Sequence, residues 1–88
     1  MIITWDEAKR LANIAKHGLD FAELTLEFFE RSLVIPARSP RFKAVGHLGA
    51  ELRVVVFAPL GSEAVAVISM RAASKNERMP FYDRQADL

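Results

Sequence analysis

The chain has 88 residues, about half of them apolar, no cysteine, and a formal net charge of +1. Those values suit one domain with one core, and they argue against disorder, a disulfide framework and a thiolate metal site. A domain this small buries only roughly 60–65% of its unfolded surface, so its stability should be modest and a binding partner would add to it.

Residues 2–5 (IITW) read as a short strand or a packed N-terminal arm. Thr4-x-x-Glu7 has capping-box spacing, and Asp6-x-x-Lys9 offers a second helix start. The helix runs to about His17, with Ala8, Leu11, Ala12 and Ala15 at helical spacing and Lys9, Arg10, Asn13 and Lys16 elsewhere around it. Gly18 is placed to end it in the left-handed conformation. A second helix is predicted from Asp20, with Glu23 at the capping-box position, to near Arg31. Phe21, Leu24 and Phe28 form its apolar stripe, widened by Leu26 and Phe29. So short a connection predicts a helical hairpin.

Residues 34–41 (VIPARSPR), with two prolines, read as a short edge strand and a loop. Phe42 to Leu48 is a weakly patterned strand ended by a turn at Gly49. Leu52–Ala58 and Ala64–Met70 are valine-rich strands bounded by turn residues, among them Pro59-Leu60-Gly61-Ser62. Ser74-x-x-Glu77 opens a last helix, which Pro80 should kink or shorten by removing a hydrogen bond. The predicted class is α+β: two N-terminal helices on a small antiparallel sheet, a short C-terminal helix, and a single domain over residues 1–88.

A hairpin centred on Leu60-Gly61-Ser62 would put Leu52, Val54, Val56 and Ala58 beside Met70, Ile68, Ala66 and Ala64 on one wholly apolar face, against the helices. The other face would show Arg53, Val55 and Phe57 beside Arg71, Ser69, Val67 and Val65, with Arg53 diagonal to Arg71 and Glu51 opposite Arg71. A slip of one residue would exchange these faces.

Charge divides unevenly along the chain. Residues 1–30 hold six acids and three bases, and residues 31–84 hold nine bases and four acids. A basic half could attract a polyanion, although an ordinary solvated surface would look the same. No apolar run approaches the roughly 18 residues of a membrane span, and MIITWDEAKR lacks a signal-peptide layout, so the expected compartment is the cytoplasm. His17 and His47 lie too far apart in sequence to suggest a metal site, and no phosphate loop or Gly-x-Ser-x-Gly motif is present; no cofactor is expected.

The remaining chemistry is rich in arginine. Arg53, Arg71 and Arg78, with Lys75, Glu77 and Tyr82, fall around the end of the last strand and the start of the last helix. A guanidinium fork grips two phosphate oxygens at once, which suits the phosphorane of RNA cleavage. Arg41, Lys43 and Lys75 would add contacts to RNA.

The run Trp5-Asp6-x-x-Lys9-x-x-x-Asn13-x-x-Lys16-His17-Gly18-x-x-Phe21 resembles the N-terminal signature of BrnT-type toxins. So does the later series of Arg41, Gly46, the strand after Arg53, Ile68-Ser69-x-Arg71-x-Ala73 and Glu77-Arg78. The resemblance implies a RelE-like fold and ribonuclease activity without a metal. It also implies a BrnA-like ribbon-helix-helix antitoxin as partner, with DNA met only through that antitoxin, in a homodimer or a heterotetramer with it. Arg71, Arg53 and Arg78 would hold the scissile phosphate, with Tyr82, Glu77 or His47 as proton carrier. The alternative is a catalytically weak module that binds its antitoxin, and RNA, without cleaving. Three departures from the family pattern bear on that choice: Ala66 where a basic residue is common, Phe81 where tyrosine is usual with Tyr82 one step on, and Pro80 within the helix.

The motif residues also have structural readings. Trp5 and Phe21 would be core, Asp6 a helix cap and Gly18 a C-cap. Lys9 would lie on the solvated face of the first helix, and Asn13 would bond backbone in the helix connection. Lys16 and His17 would favour the dipole at a helix end. Arg71 would pair with Glu51, and Arg78 with a local carboxylate such as Asp83.

Overall fold

Seven valines, six of them from Val45 to Val67, build most of a sheet from the second half of the chain. The computed structural model describes residues 1–86; residues 87 and 88 of the expected domain lie outside the described residues. In chain order come β1 (Ile2–Trp5), α1 (Glu7–His17), a single 3-10 turn (Phe21–Glu23), α2 (Leu26–Arg31), β2 (Leu33–Pro36), β3 (Phe42–Leu48), β4 (Glu51–Leu60), β5 (Ala64–Ala72) and α3 (Lys75–Ala86). The strands form one sheet in the order β1-β5-β4-β3-β2.

The sheet is larger than the one expected and is mixed. β1 pairs parallel with β5, Ile2 with Ala64 through Trp5 with Val67, while the other pairings are antiparallel. A parallel neighbour needs a long connection, and here everything from α1 to β4 supplies it. β1 is shorter than β5, so beyond Val67 the outer edge of β5 has no strand beside it.

Asp6, not Thr4, starts α1. Its carboxylate accepts from the Ala8 backbone N–H, whereas the Thr4 hydroxyl donates to Val65 O across the sheet. Gly18 ends α1 at φ 69°, with its N–H on Ile14 O. The continuous helix expected from Asp20 to Arg31 is broken. Asp20 caps only the 3-10 turn, Leu24 is extended, and the Thr25 hydroxyl accepts from the Phe28 N–H to start α2 afresh. Thr25 is a good N-cap and a poor interior helix residue, which accounts for the break. Pro80, by contrast, does not shorten α3, which continues to Ala86. The carbonyl it leaves without a helical donor is that of Asn76, an exposed residue that water can reach.

The stripe expected on α1 also points elsewhere. Ala8, Leu11, Ala12 and Ala15 are exposed, and the buried residue of the helix is Asn13. Its carboxamide behaves like one residue of a missing strand: Oδ1 accepts from Met70 N–H at 3.0 Å and Nδ2 donates to Met70 O at 2.9 Å and to Leu19 O at 2.9 Å. One side chain thus satisfies the free edge of β5 and ties down the turn after α1, the backbone role expected for Asn13.

Phe57 pairs with Val67 but Val56 pairs with Ser69, so Ile68 is a bulge with no partner on β4. That extra residue flips Met70 and Arg71 relative to Ala64 and Ala66, so the expected grouping of faces fails at the end of β5. The helix-covered core contains Phe21, Leu24, Phe28, Ala44, Val55, Phe57, Val65, Val67 and Met70, with Trp5 edge-on to Phe21 at 6.3 Å. The opposite face carries a smaller cluster: Val45, Leu52, Val54, Ala73 and Phe81 of α3. Val55, Phe57, Val65 and Val67 share one face as expected, but the N-terminal helices cover that face and not the other, so they are core and Val54 packs under α3.

Candidate functional site

Three charged side chains meet where β5 ends and α3 begins. Arg71 stands opposite Val54 on the α3 face, and Lys43 on β3 shares that face, opposite Val56. Glu77 lies one turn into α3 and is turned toward the sheet, only 7% exposed. Its Oε1 accepts from Arg71 Nη1 at 2.7 Å and from the Ser74 N–H at 2.8 Å; its Oε2 accepts from Arg71 Nη2 at 2.8 Å and from Lys43 Nζ at 3.2 Å. The capping spacing of Ser74 and Glu77 therefore places a carboxylate between two cations.

Arg71 holds the Glu77 carboxyl well below the usual carboxylate range, with help from Ser74 and Lys43 against the cost of burial. The guanidinium is pushed the other way, its charge favoured by Glu77. A carboxylate bound this firmly to its partners is a poor proton acceptor, because taking a proton would break the contacts that hold it. Glu77 is suited to fixing Arg71 rather than to acting as a base.

Arg71 keeps part of its capacity free. A guanidinium has five N–H donors. Glu77 and Ala72 O take two from Nη1 and one from Nη2. Nε–H and the second Nη2–H share the other edge of the fork and have no partner among the described residues. That edge can take two oxygens of one phosphate.

Other expected site residues lie apart. Arg53 pairs with Gly46 and Ala72, on the opposite face of the sheet from Arg71, so the diagonal pair of arginines does not form. Glu51 pairs with Leu48 and has no partner on β5; the ion pair of Arg71 is with Glu77 instead. Arg78 donates from Nε to Ala73 O at 3.1 Å and is exposed. Tyr82 is 47% exposed and sits by His47 and Phe81, with ring centroids 6.4 and 5.6 Å away. It is five residues past Glu77, roughly 140° around α3. Phe81 is buried, edge-on to His47. Arg41 and Lys75 are exposed.

Sequence reasoning missed a groove. Lys9, Ala12, Asn13, Lys16 and His17 of α1 face Ile68, Ser69 and Arg71 of β5 across a cleft of about 360 Å³ along the free edge of β5. The α1 residues fall at i, i+3, i+4, i+7 and i+8, one stripe of a helix. That spacing was visible, but a stripe of lysines around an asparagine looks like a solvated face until the asparagine is seen to bind a strand.

A mixed five-stranded sheet with two helices on one face, the C-terminal helix on the other and a half-free arginine fork at the strand end defines a small α+β protein. The model of the ribonuclease toxin BrnT of type II toxin–antitoxin systems matches residues 5–77. The chain belongs to that family. The 1.1 Å crystal structure of the Brucella abortus ribonuclease toxin BrnT is similar at 53% identity and a TM-score of 0.80, covering 85% of this chain and 99% of that one. The comparison with curated proteins gives no match.

Proposed function

We propose that this chain is a RelE-like endoribonuclease toxin that needs no metal, cleaves RNA by attack of the substrate's own 2′-oxygen, and is restrained in the cytoplasm by a BrnA-like ribbon-helix-helix antitoxin. Family membership supports the ribonuclease class and the existence of an antitoxin. The observation that carries the mechanism is the Arg71 fork, braced along one edge by Glu77 and open along the other.

The 2′-oxygen is adjacent to the phosphorus, so the substrate supplies proximity and the enzyme needs chiefly to align and stabilise. The free edge of Arg71 binds two non-bridging oxygens. As the 2′-hydroxyl gives its proton to water and its oxygen bonds to phosphorus, the bond from phosphorus to the 5′-oxygen breaks and that oxygen takes a proton from water; charge grows on the non-bridging oxygens meanwhile and the contact strengthens. Lys43 adds positive potential beside it. The products are a 2′,3′-cyclic phosphate and a 5′-hydroxyl. The tight hold on Glu77 and the buried Phe81 favour a modest enzyme, and the second reading, a toxin fold that binds without cleaving, rests on the same two observations.

Purified protein incubated with RNA in EDTA tests the proposal. Cleavage should persist on chelation, stop with a single 2′-deoxy substitution at the cleavage site, and fall about 10²–10³-fold in Arg71→Ala. Cleavage of the deoxy substrate, or activity restored only by added divalent metal, would show the mechanism to be wrong. No cleavage by protein that still co-purifies with its antitoxin would favour the binding module.

A further inference from the structure

The groove between α1 and β5 has walls, charge and a fixed geometry. Asn13 clamps α1 to the β5 edge with two hydrogen bonds to Met70, so the lysines beside it stand at a set distance from the strand. Neither Lys9 nor Lys16 has an ion-pair partner among the described residues. The nearby acids are otherwise engaged: Asp6 caps α1, and Glu7 and Asp20 both bind Arg10, on another side of the helix. The groove is therefore lined with basic groups and no carboxylate, and it ends at Arg71.

We propose that this groove is the track for the RNA strand, with Lys9 and Lys16 neutralising backbone phosphates along the strand from the one held by Arg71. The assignment rests on the proposed RNA cleavage for the identity of the polyanion. Seven residues of helix set the two backbone positions about 10 Å apart along α1, which lets the two ammonium groups take separate phosphates. His17 and Ser69 line the same cleft and offer polar contacts to the sugar-phosphate chain between them. Lysine contacts of this kind carry no base information, so the groove sets affinity and register and leaves sequence choice to other contacts.

Salt dependence reads the proposal directly, because each phosphate neutralised on a single strand contributes roughly 0.7 to the slope of log affinity against log salt. The probe is a fluorescein-labelled oligouridine with 2′-O-methyl sugars, which cannot be cleaved by 2′-attack. Binding is measured between about 50 and 200 mM salt. Lys16→Ala and Lys9→Ala should each lower the slope by about 0.7, and the double variant by about 1.4, while Arg31→Ala leaves it unchanged. Both lysines are exposed, so melting curves should match the parent. Unchanged slopes in the lysine variants, no binding by the parent at low salt, or equal competition by a poly-glutamate peptide would overturn the track; the last result would assign the groove to an acidic protein segment. Binding with the expected slopes but no cleavage of ordinary RNA would uphold the track and defeat the proposed function instead.

Discussion

The two faces of the sheet are built differently. One is closed by Phe21, Leu24 and Phe28 over Val55, Phe57, Val67 and Met70, all buried, with Phe29, Phe42 and Trp5 around the rim. The other is covered only at one end, by Phe81 and the ion cluster of Arg71, Glu77 and Lys43, while Val56, Ala58, Ala64 and Ala66 stay half-buried and Leu60 is half exposed. Hydrophobic burial near 25 cal/mol per Å² makes the closed face the main source of stability. The half-open face can keep a charged fork at the surface because little else depends on it. The division explains how so small a chain holds both a core and a site: stability and chemistry sit on opposite sides of one layer.

The largest expected effect tests that division in stability. Phe21→Ala should cost about 3–5 kcal/mol in urea unfolding, since a fully buried ring is lost from the closed core. Leu60→Ala, on the open face at the hairpin end, should cost about 0.5 kcal/mol or less. Equal losses would mean that the two faces share the load.

A middle-sized effect comes from the ion cluster. Glu77→Gln should cost about 2 kcal/mol, because it weakens a cap and leaves Arg71 and Lys43 without their shared carboxylate. The pH dependence has a definite sign. The folded Glu77 has its pKa depressed, so its contribution is complete above the unfolded value of about 4.3 and is lost as pH falls from there toward the folded value. Stability of the parent should therefore drop on acidification below about pH 4.3, and Glu77→Gln should show a shallower drop. Some acid sensitivity will remain, because the Ala22 N–H and Arg10 hold Asp20 below its usual range too. Parallel acid profiles for parent and variant would contradict the cluster.

Much of this arrangement was legible in the sequence, and the failures have local causes. Valine-rich runs and turn residues located β4 and β5 to within two residues at each end, and Gly18 marked the end of α1. Ser74-x-x-Glu77 announced its own cap. The faces were misread for two reasons: nothing in the identity of Ile68 says that it is a bulge rather than a paired position, and apolar residues on both faces of the hairpin hid which one the helices cover. Thr25 carried a helix-start signal that the strong stripe of Phe21, Leu24 and Phe28 masked. Those three residues still reach the core, because the core selects where side chains arrive and tolerates a broken helix between them. Asn13 was the least legible: its importance comes from Met70, 57 residues away.

The smallest expected effect is the most discriminating, and it concerns Arg53. A straight hairpin would set Arg53 and Arg71 on one face as a pair, and removing either would then damage catalysis alike. The bulge at Ile68 instead leaves Arg71 opposite Val54 and Arg53 opposite Ala72, on the other side of the sheet. Arg53 also pairs with Gly46, against which α2 packs so closely that an added Cβ would come within 3.2 Å of Phe28 and Ser32. From there its charge is separated from the Arg71 fork by the sheet itself. Arg53 is half-buried there, so truncation should change stability by about 1 kcal/mol or less. Arg53→Ala should then cleave RNA within about threefold of the parent, against the loss of about 10²–10³-fold expected for Arg71→Ala. The two variants measured side by side, with a double variant no worse than Arg71→Ala alone by more than that small factor, would uphold a single-arginine site. Strong, mutually dependent losses at both positions would instead require the phosphate to be reached from both faces, at the end of the sheet where β5 stops.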